Sequence, residues 1–244
     1  MSDRATRSRS FETVAAEYER YRPDYPQEAV RWASEQLGLS RGARVLDVGA
    51  GTGKLTRELV ALGFEAVAVD PGAPMLDELR RAVPEAEAYE GPAESIPLAD
   101  ESVDAVFAGQ AFHWFDRERA VPELHRVIRA GGGLALLWNW WDERDPLQAE
   151  LGRLIGYAGY EPYRDEELPG KPWFREVGRT IVESASESSP DGLVGYLSTA
   201  SAFLTAEPDE REKSLRAVHE LASRYGERFS LPRLTYAFAF ARLS

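Results

Sequence analysis

Cysteine is absent from this chain of 244 residues, and histidine occurs only three times. The lack of cysteine excludes disulfide bonds, thiolate metal sites and a thiol nucleophile. Three scattered histidines do not make a zinc site, so we predict no metal. Long apolar runs are also missing: no stretch reaches the roughly 20 residues of a membrane-spanning helix, and residues 1–10 lack the apolar core of a signal peptide. We therefore predict a cytoplasmic protein that does not bind membranes.

Positive charge is scarce as well. The 29 lysines and arginines are outnumbered by 41 aspartates and glutamates, which gives a formal net charge of -12. This charge opposes binding to nucleic-acid phosphates, and no basic patch with interleaved aromatic residues offsets it, so we predict no nucleic-acid partner. The length suits a doubly wound sheet with an added cap, and it leaves the oligomeric state undetermined.

Apolar runs alternate with helical patterns in the first part of the chain. The apolar runs typical of buried strands are Arg44–Val48, Glu65–Asp70, Glu87–Tyr89, Val103–Ala108 and Leu134–Trp138. The helical patterns between them are Lys54–Leu62, Pro74–Val83 and Arg117–Arg129. This alternation predicts an α/β fold: a Rossmann-like, doubly wound, mostly parallel sheet with helices on both faces.

After Trp138 the regular alternation ends. Helical patterns cover Leu147–Ala158, Gly192–Ala200 and Asp209–Tyr225, strand patterns cover Arg179–Ser184 and Leu234–Arg242, and residues 161–172 read as a connection. The late strands lie close to helical inserts, so we predict that they complete the same sheet and hold a small helical cap. The predicted organisation is a single domain with a disordered tail (1–10), N-terminal lid helices (11–40), a ligand-binding core (41–141) and the sheet completion with cap inserts (142–244).

The most informative stretch is VLDVGAGTG, Val45 to Gly53, where a buried strand leads into a glycine turn and then a helix. Glycines at Gly49, Gly51 and Gly53 permit positive φ, and they let a ligand approach the backbone amides that open the helix. Asp70 closes the next apolar run, where its carboxylate can accept hydrogen bonds from the hydroxyls of a ribose. This pair of features predicts a nucleotide-like ligand.

Spacing separates three ligand classes for this loop. A P-loop is excluded because Val48 occupies the place of its first glycine and Leu55 the place of its magnesium-binding Ser or Thr. A dinucleotide motif needs a third glycine where this chain has Lys54, which makes NAD or FAD the weaker alternative. An acid followed by alternating glycines, beginning at Asp47, suits a ligand whose amino-acid end carries an ammonium and a carboxylate. S-adenosylmethionine is such a ligand.

The segments DVGAGTG, VAVDPGAPML, GPAESIPLADESVDAVFAGQAFHWFD and RVIRAGGGLALL together resemble class I S-adenosylmethionine-dependent methyltransferases. Within them the chain is similar to the small-molecule branch that includes trans-aconitate methyltransferase. The resemblance covers about Phe11 to Trp141. It implies a sheet of about seven strands, with the last one antiparallel and inserted beside its neighbour. It also implies methyl transfer to oxygen, nitrogen or carbon of a small organic acceptor, with S-adenosylhomocysteine as the product.

The resemblance carries over to individual residues of the cofactor site. It places the methionine end of the cofactor among Asp47, Gly49, Ala50, Gly51, Thr52 and Gly53. It places the ribose on Asp70 and the adenine against Pro71, Met75, Ala93 and Glu94. Pro92 occupies a position where relatives often carry an acid, so we assign the contact with the adenine N6 to Glu94. The carbonyls of Gly109 and Gln110 would face the ammonium and the transferred methyl.

For the lid and the acceptor pocket the same resemblance suggests further residues. Relatives use the N-terminal helix as a lid, in which Arg22 would pair with the methionine carboxylate and Tyr18 would cover the methyl. The acceptor pocket is expected to include Tyr25, Trp114, Asn139, Trp140 and Trp141.

His113 has two interpretations: it is a general base for a phenol or amine acceptor, or it is an imidazole packed among aromatic rings. Two other functions also remain open for the whole chain. One is an NAD-dependent reductase, and the other is a methyltransferase-like binding module without catalysis.

Overall fold

A computed structural model describes residues 13–159 and 163–244 of the chain. The predicted disordered tail, 1–10, lies outside the described residues, as do the first two residues of the predicted lid segment. The helices are α1 (Ala15–Tyr21), α2 (Gln27–Gln36), α3 (Lys54–Ala61), α4 (Ala73–Ala82), α5 (Arg117–Val127), α6 (Pro146–Ile155), α7 (Pro190–Ser198), α8 (Ser201–Leu204) and α9 (Pro208–Ser223). The strands are β1 (Arg44–Val48), β2 (Glu65–Asp70), β3 (Glu87–Glu90), β4 (Val103–Gly109), β5 (Ile128–Trp141), β6 (Phe174–Ser188) and β7 (Phe229–Arg242).

The strands form one seven-stranded sheet in the order β3-β2-β1-β4-β5-β7-β6. Strand β1 pairs in parallel with β2 and with β4, β2 pairs in parallel with β3, and β4 with β5. Strand β7 lies between β5 and β6 and runs against β5, since Gly133 lies beside Phe240 whereas Asn139 bonds to Thr235. The predicted mostly parallel sheet of about seven strands is confirmed, with the last strand inserted.

Successive side chains of the central strands point to opposite faces of the sheet, and both faces are buried. In β1, Leu46 and Val48 join a cluster with Trp138, while Val45 joins another cluster with Leu59 of α3. A parallel strand covered on both faces has to be apolar throughout, which explains why the run around Val45 contains little polar sequence. The carboxyl ends of these strands share one edge of the sheet, and the loops after β1, β2 and β4 therefore gather there.

The structure extends two of the predicted strands. Strand β5 begins at Ile128 rather than at Leu134, because β4 pairs Val103 with Ile128 and then Ala105 with Gly133, so that residues 129–132 bulge out of the ladder. Gly131 has φ +84° within this bulge, a conformation that favours glycine. Strand β6 covers Phe174–Ser188, well beyond the predicted Arg179–Ser184.

The described residues divide into two compact units. The sheet unit takes in those within 24–139, 163–182 and 235–244, and the helical unit those within 13–23, 140–159 and 183–234. The helical unit has an apolar core of its own, with Leu151 from α6, Leu193 from α7 and Leu221 from α9. The domain boundaries drawn from the sequence stay a prediction. Among the described residues, no helix has the length and apolar character that crossing a membrane requires.

The tight approach of β7 to β5 leads to a stability prediction. A Cβ at Gly133 would overlap the backbone carbonyl of Phe240 and the side chain of Leu37. We expect Gly133→Ala to lower the free energy of unfolding by about 1–3 kcal/mol, measured by urea denaturation. Gly170→Ala is the matched control, because a Cβ at Gly170 meets nothing within 4 Å. Equal stability of the two variants would contradict the close β5–β7 packing.

Candidate functional site

The loop between β1 and α3 is built from three glycines in the left-handed region. Gly49, Gly51 and Gly53 have φ of +67°, +55° and +87°. A Cβ at Gly49 would come 2.5 Å from Ala111 Cβ, and a Cβ at Gly53 would come 2.8 Å from Leu79 Cγ. A Cβ at Gly51 would meet nothing within 4 Å. Packing against the protein therefore requires Gly49 and Gly53, whereas Gly51 faces open space that a ligand can enter.

The carboxylate of Asp70 holds this loop. Asp70 ends β2, and its Oδ2 accepts a hydrogen bond from the Gly51 amide at 2.9 Å while Oδ1 accepts one from the Gly72 amide at 2.8 Å. Its side chain is buried, with 9% of the residue exposed. The predicted ribose contact stays a prediction.

Asp47, in β1, carries a strongly perturbed carboxyl group. It is 1% exposed, and the Thr56 hydroxyl donates to its Oδ2 at 2.6 Å. Its Oδ1 has no hydrogen-bond partner among the described residues. Burial raises the pKa of Asp47 to about 7, the Thr56 bond lowers it in part, and the negative charge of Asp70 raises it further. A buried carboxylate oxygen without a donor is suited to an ammonium group of a ligand.

Ion pairs join the segment before α2 to α3, the helix that follows the glycine loop. Asp24 Oδ1 accepts from Lys54 Nζ at 3.0 Å and from Arg57 Nη1 at 3.1 Å. The next residue, Tyr25, is buried, and its hydroxyl would lie 2.5 Å from a Cβ placed on Gly109 at the end of β4. The sequence analysis did not identify Asp24 as a residue of the site. A signal was present, because Lys54 and Arg57 lie three residues apart on one helix and one acid can pair with both cations.

Gln110 and Asn139 join the ends of β4 and β5. Gln110 has φ +54°, a conformation that costs a non-glycine residue about 1–3 kcal/mol and is found at functional sites. Its amide donates to Leu137 O at 2.9 Å, and its Nε2 donates to Asn139 O at 2.6 Å. The Asn139 side chain donates to Asp24 O at 3.2 Å and accepts from the Thr235 hydroxyl at 2.7 Å. Both functional groups of this predicted pocket residue are therefore engaged inside the protein.

The residues predicted to contact adenine follow β2 and β3. Met75, in α4, and Ala93 are buried, whereas Pro71 is exposed. The Glu94 carboxylate accepts from the backbone amide of Asp116 at 2.6 Å, so it already stabilises the start of α5. The structure gives Glu94 a structural partner that the sequence did not reveal. Its role in reading adenine stays a prediction.

His113 lies in a short 3₁₀ turn, Phe112–Trp114, after β4. The Trp138 indole N–H points to His113 Nδ1 at 3.4 Å, and the Trp114 ring centroid lies 4.8 Å from the imidazole centroid. Because an indole nitrogen only donates, Nδ1 is the acceptor in this contact and the neutral ring carries its proton on Nε2. In this tautomer Nε2 acts as a hydrogen-bond donor.

The predicted lid residues belong to the helical unit. Arg22 follows α1, and its Nε and Nη2 donate to the side chain and the carbonyl of Thr199, each at 3.0 Å. The guanidinium lies 5.1 Å from the Tyr18 ring centroid and 5.0 Å from that of Tyr196. Arg22 and Tyr18 are thus packed together, and their lid role stays a prediction.

Two predicted pocket tryptophans also lie in the helical unit. Trp140 meets Tyr157 edge-on at 6.4 Å, and Trp141 packs near Tyr196 at 6.0 Å. Both indoles are partly exposed. The sheet unit, by contrast, brings together Asp47, Gly51, Asp70, Gln110 and Asn139 at the carboxyl edge of its strands.

Comparison with known proteins agrees with this geometry. Residues 46–136 match a family model described as a methyltransferase domain. The chain is 46% identical over 214 residues to an uncharacterized methyltransferase of Mycobacterium tuberculosis, covering 88% of this chain and 86% of the relative. A solved structure from Anaeromyxobacter dehalogenans, provisionally assigned to the type II methyltransferases, is similar with a TM-score of 0.64 and 30% identity, covering 91% of this chain and 97% of that one. A malonyl-[acyl-carrier protein] O-methyltransferase of Methylococcus capsulatus is 48% identical over 99 residues, 38% of this chain and 36% of the relative.

The buried carboxyl of Asp47 makes stability depend on pH. Its pKa is about 7 in the folded chain and 3.8 ordinarily, so the folded state binds more protons and stability falls as pH rises from about 4 to 7. Asp47→Asn removes the buried charge. We expect it to raise the free energy of unfolding by about 2–4 kcal/mol at pH 8 and to change it little at pH 4, measured by urea denaturation across this range.

Asp77→Asn is the control for this experiment. Asp77 is exposed on α4 beside Arg80, so its replacement should change stability by less than about 0.5 kcal/mol at any pH. A gain in Asp47→Asn that does not vary with pH would show that Asp47 is not a buried titrating group.

Proposed function

The chain belongs to the class I S-adenosylmethionine-dependent methyltransferases, and on that premise we propose that its glycine loop binds S-adenosylmethionine and that it methylates a small carboxylic acid. The cofactor assignment rests on one observation. Oδ1 of Asp47 is buried without a partner, and Asp47 lies in the strand that leads into the loop where Gly51 faces open space. An ammonium group would satisfy Asp47, and a Cβ at Gly51 would fill the space that a ligand needs.

The residues present fit this cofactor better than a dinucleotide. Asp47 is suited to the ammonium, and Asp70 ends β2, the position at which a carboxylate binds ribose hydroxyls in folds of this type. At the position of the third dinucleotide glycine, Lys54 is buried and its Nζ bonds to Asp24. A side chain at this point opposes the close helix packing that a dinucleotide motif requires. These contacts support the methyl donor over NAD.

Methyl transfer depends mainly on the alignment of the acceptor atom with the methyl group. When bound, S-adenosylmethionine supplies a methyl group on a sulfonium, and its displacement releases a neutral thioether. The protein's contribution is to hold the acceptor atom in line and to keep water away, which can supply roughly 7–11 kcal/mol. The network of Gln110, Asn139 and Asp24 is suited to this purpose, because buried hydrogen bonds fix the loops at the ends of β4 and β5.

A carboxylate acceptor is favoured by the tautomer of His113. With Nδ1 accepting from Trp138, the neutral ring offers an N–H at Nε2, which orients an anionic oxygen and cannot remove a proton. A carboxylate needs no general base, unlike a phenol or an amine. The relative from Methylococcus capsulatus is named an O-methyltransferase, which agrees with transfer to oxygen.

The open face of Gly51 gives a test of cofactor binding. We expect Gly51→Ala to weaken S-adenosylmethionine binding at least tenfold in calorimetry, because its Cβ would occupy the space that the ligand needs. Gly38→Ala is a matched control, since Gly38 has a similar φ of +64° and also meets nothing within 4 Å. Both variants should lose about 1 kcal/mol of stability.

Three results would contradict the cofactor assignment: unchanged affinity in Gly51→Ala, equal weakening in both glycine variants, or tighter binding of NADH than of S-adenosylmethionine. A non-catalytic binding module is distinguished by a further measurement. It would bind the cofactor yet release no S-adenosylhomocysteine with any member of a panel of carboxylic acids, phenols and amines.

The role of His113 can be tested once that panel yields an acceptor. His113→Gln keeps a donor but cannot act as a base near neutral pH. We expect kcat to fall less than about tenfold and the pH–rate profile to keep its shape, since a true general base contributes about 10²–10⁴-fold. Trp138→Phe, which removes the N–H and keeps a ring, should raise KM more than it lowers kcat. A hundredfold loss of kcat in His113→Gln, with loss of a limb near neutral pH, would identify a base.

A further inference from the structure

Two carboxyl groups in the paired strands β1 and β2 are hydrogen-bonded very differently. Asp70 accepts from the backbone amides of Gly51 and Gly72, at 2.9 and 2.8 Å. Asp47 is 1% exposed, and its Oδ1 has no partner among the described residues. Backbone amides stabilise a carboxylate, whereas burial without enough donors favours the protonated acid. Of the two groups, Asp47 is therefore the one suited to keep a proton when no ligand is bound.

The cations closest in sequence do not neutralise Asp47. Lys54 and Arg57 are the two basic residues of α3, and both bond to Asp24, at 3.0 and 3.1 Å. In the described part of the chain, the hydrogen bond to the Asp47 carboxyl comes from Thr56, a neutral residue. Burial raises the pKa of Asp47 to about 7, although the Thr56 bond opposes the rise, and the negative charge of Asp70 adds to it.

The other charged residues on the elements around β1 have partners of their own or face solvent. In β4, Asp104 pairs with Arg129 at 2.6 Å. Those of α4 pair with one another and those of α2 are exposed: Asp77 with Arg80, Glu78 with Arg81, and then Glu28, Arg31 and Glu35. Glu58 of α3 is part-buried, and its own pKa is raised by burial and by the charge of Asp24. Glu58 is therefore a useful comparison for Asp47.

A ligand ammonium group would change the protonation of Asp47. An ammonium at Oδ1 forms a charge-assisted hydrogen bond with the ionised acid, whereas the protonated acid offers only a neutral oxygen. In this exchange the carboxyl O–H bond breaks, its proton passes to solvent, and the ammonium keeps its three protons and donates to the carboxylate. The inference rests on the proposed function, in which S-adenosylmethionine places its ammonium at Asp47. We propose that binding of the cofactor's amino-acid end releases the proton of Asp47, so that cofactor affinity rises with pH.

Proton linkage gives the direction and size of this effect. When the free chain holds a proton that the complex lacks, the affinity increases as the pH rises. A carboxyl with a pKa of about 7 is mostly protonated at pH 6 and mostly ionised at pH 8. The dissociation constant of the cofactor should therefore fall about tenfold between these two pH values.

Two ligands that share the adenosine and thioether groups provide the first test. S-adenosylhomocysteine carries the amino-acid end, and 5′-methylthioadenosine lacks it. Calorimetry at pH 6 and pH 8 should show S-adenosylhomocysteine binding about tenfold more tightly at the higher pH. The affinity for 5′-methylthioadenosine should change less than about twofold, because this ligand brings no ammonium to Asp47.

The released proton can also be counted. At pH 6.5, titrations with S-adenosylhomocysteine in phosphate and in imidazole buffers, whose ionisation enthalpies differ, should report the release of roughly 0.5–1 proton per ligand. Asp47→Asn has no proton to release, so it should give one enthalpy in both buffers and a weak affinity that does not vary with pH. Glu58→Gln is the matched control and should keep the wild-type pH dependence. Circular dichroism verifies that both variants fold.

The possible outcomes separate this proposal from the cofactor assignment. Equal affinities for S-adenosylhomocysteine at pH 6 and pH 8 would overturn the proton coupling and leave the cofactor assignment intact. The coupling would also be overturned by the same pH dependence in 5′-methylthioadenosine or in Asp47→Asn, or by its loss in Glu58→Gln. A folded chain that binds S-adenosylhomocysteine at neither pH would overturn the cofactor assignment, and the coupling with it.

Discussion

One carboxylate determines the shape of the candidate site. Asp70 accepts hydrogen bonds from the amides of Gly51 and Gly72, so it joins the loop after β1 to the loop after β2. Hydrogen bonds to a charged acceptor contribute about 1.5–3 kcal/mol each. The parallel pairing of β1 with β2, with Val48 opposite Val69, brings Asp70 to this place. The glycine residues permit the loop conformation, and the neighbouring strand selects it.

The negative charge of Asp70, which holds this loop, disfavours the ionised form of a neighbouring carboxyl group. Asp47 lies in the adjacent strand, it is fully buried, and the charge of Asp70 adds to the burial that raises its pKa. The chain has a net charge of -12, and Thr56 is the residue that hydrogen-bonds to the Asp47 carboxyl among the described residues. A cationic ligand group would offset this effect. Binding of such a group would therefore couple stability to ligand binding at the same carboxylate.

A second group of residues fixes the neighbouring edge. Asn139 bonds to the segment before α2 through Asp24 and to β7 through Thr235, and its carbonyl holds Gln110 in a left-handed conformation. Buried, satisfied polar networks of this kind favour one arrangement of the surrounding loops. The inserted strand β7 thus contributes to the site as well as to the sheet. It also makes β6 the edge strand of the sheet.

Local patterns were enough to locate β1, β2, β3 and β4 to within about a residue, together with the glycine turn and the acid that ends β2. These signals lie in short stretches, because burial on both faces makes a strand apolar and a tight turn requires glycine. The partners of Lys54, Glu94 and Asn139 could not be predicted in this way, since they lie 30, 22 and 115 residues away. The start of β5 was also missed, because its bulge exists only through pairing with β4. Sequence order records which residues are present and their periodicity, and packing in three dimensions selects which distant donor meets each acceptor.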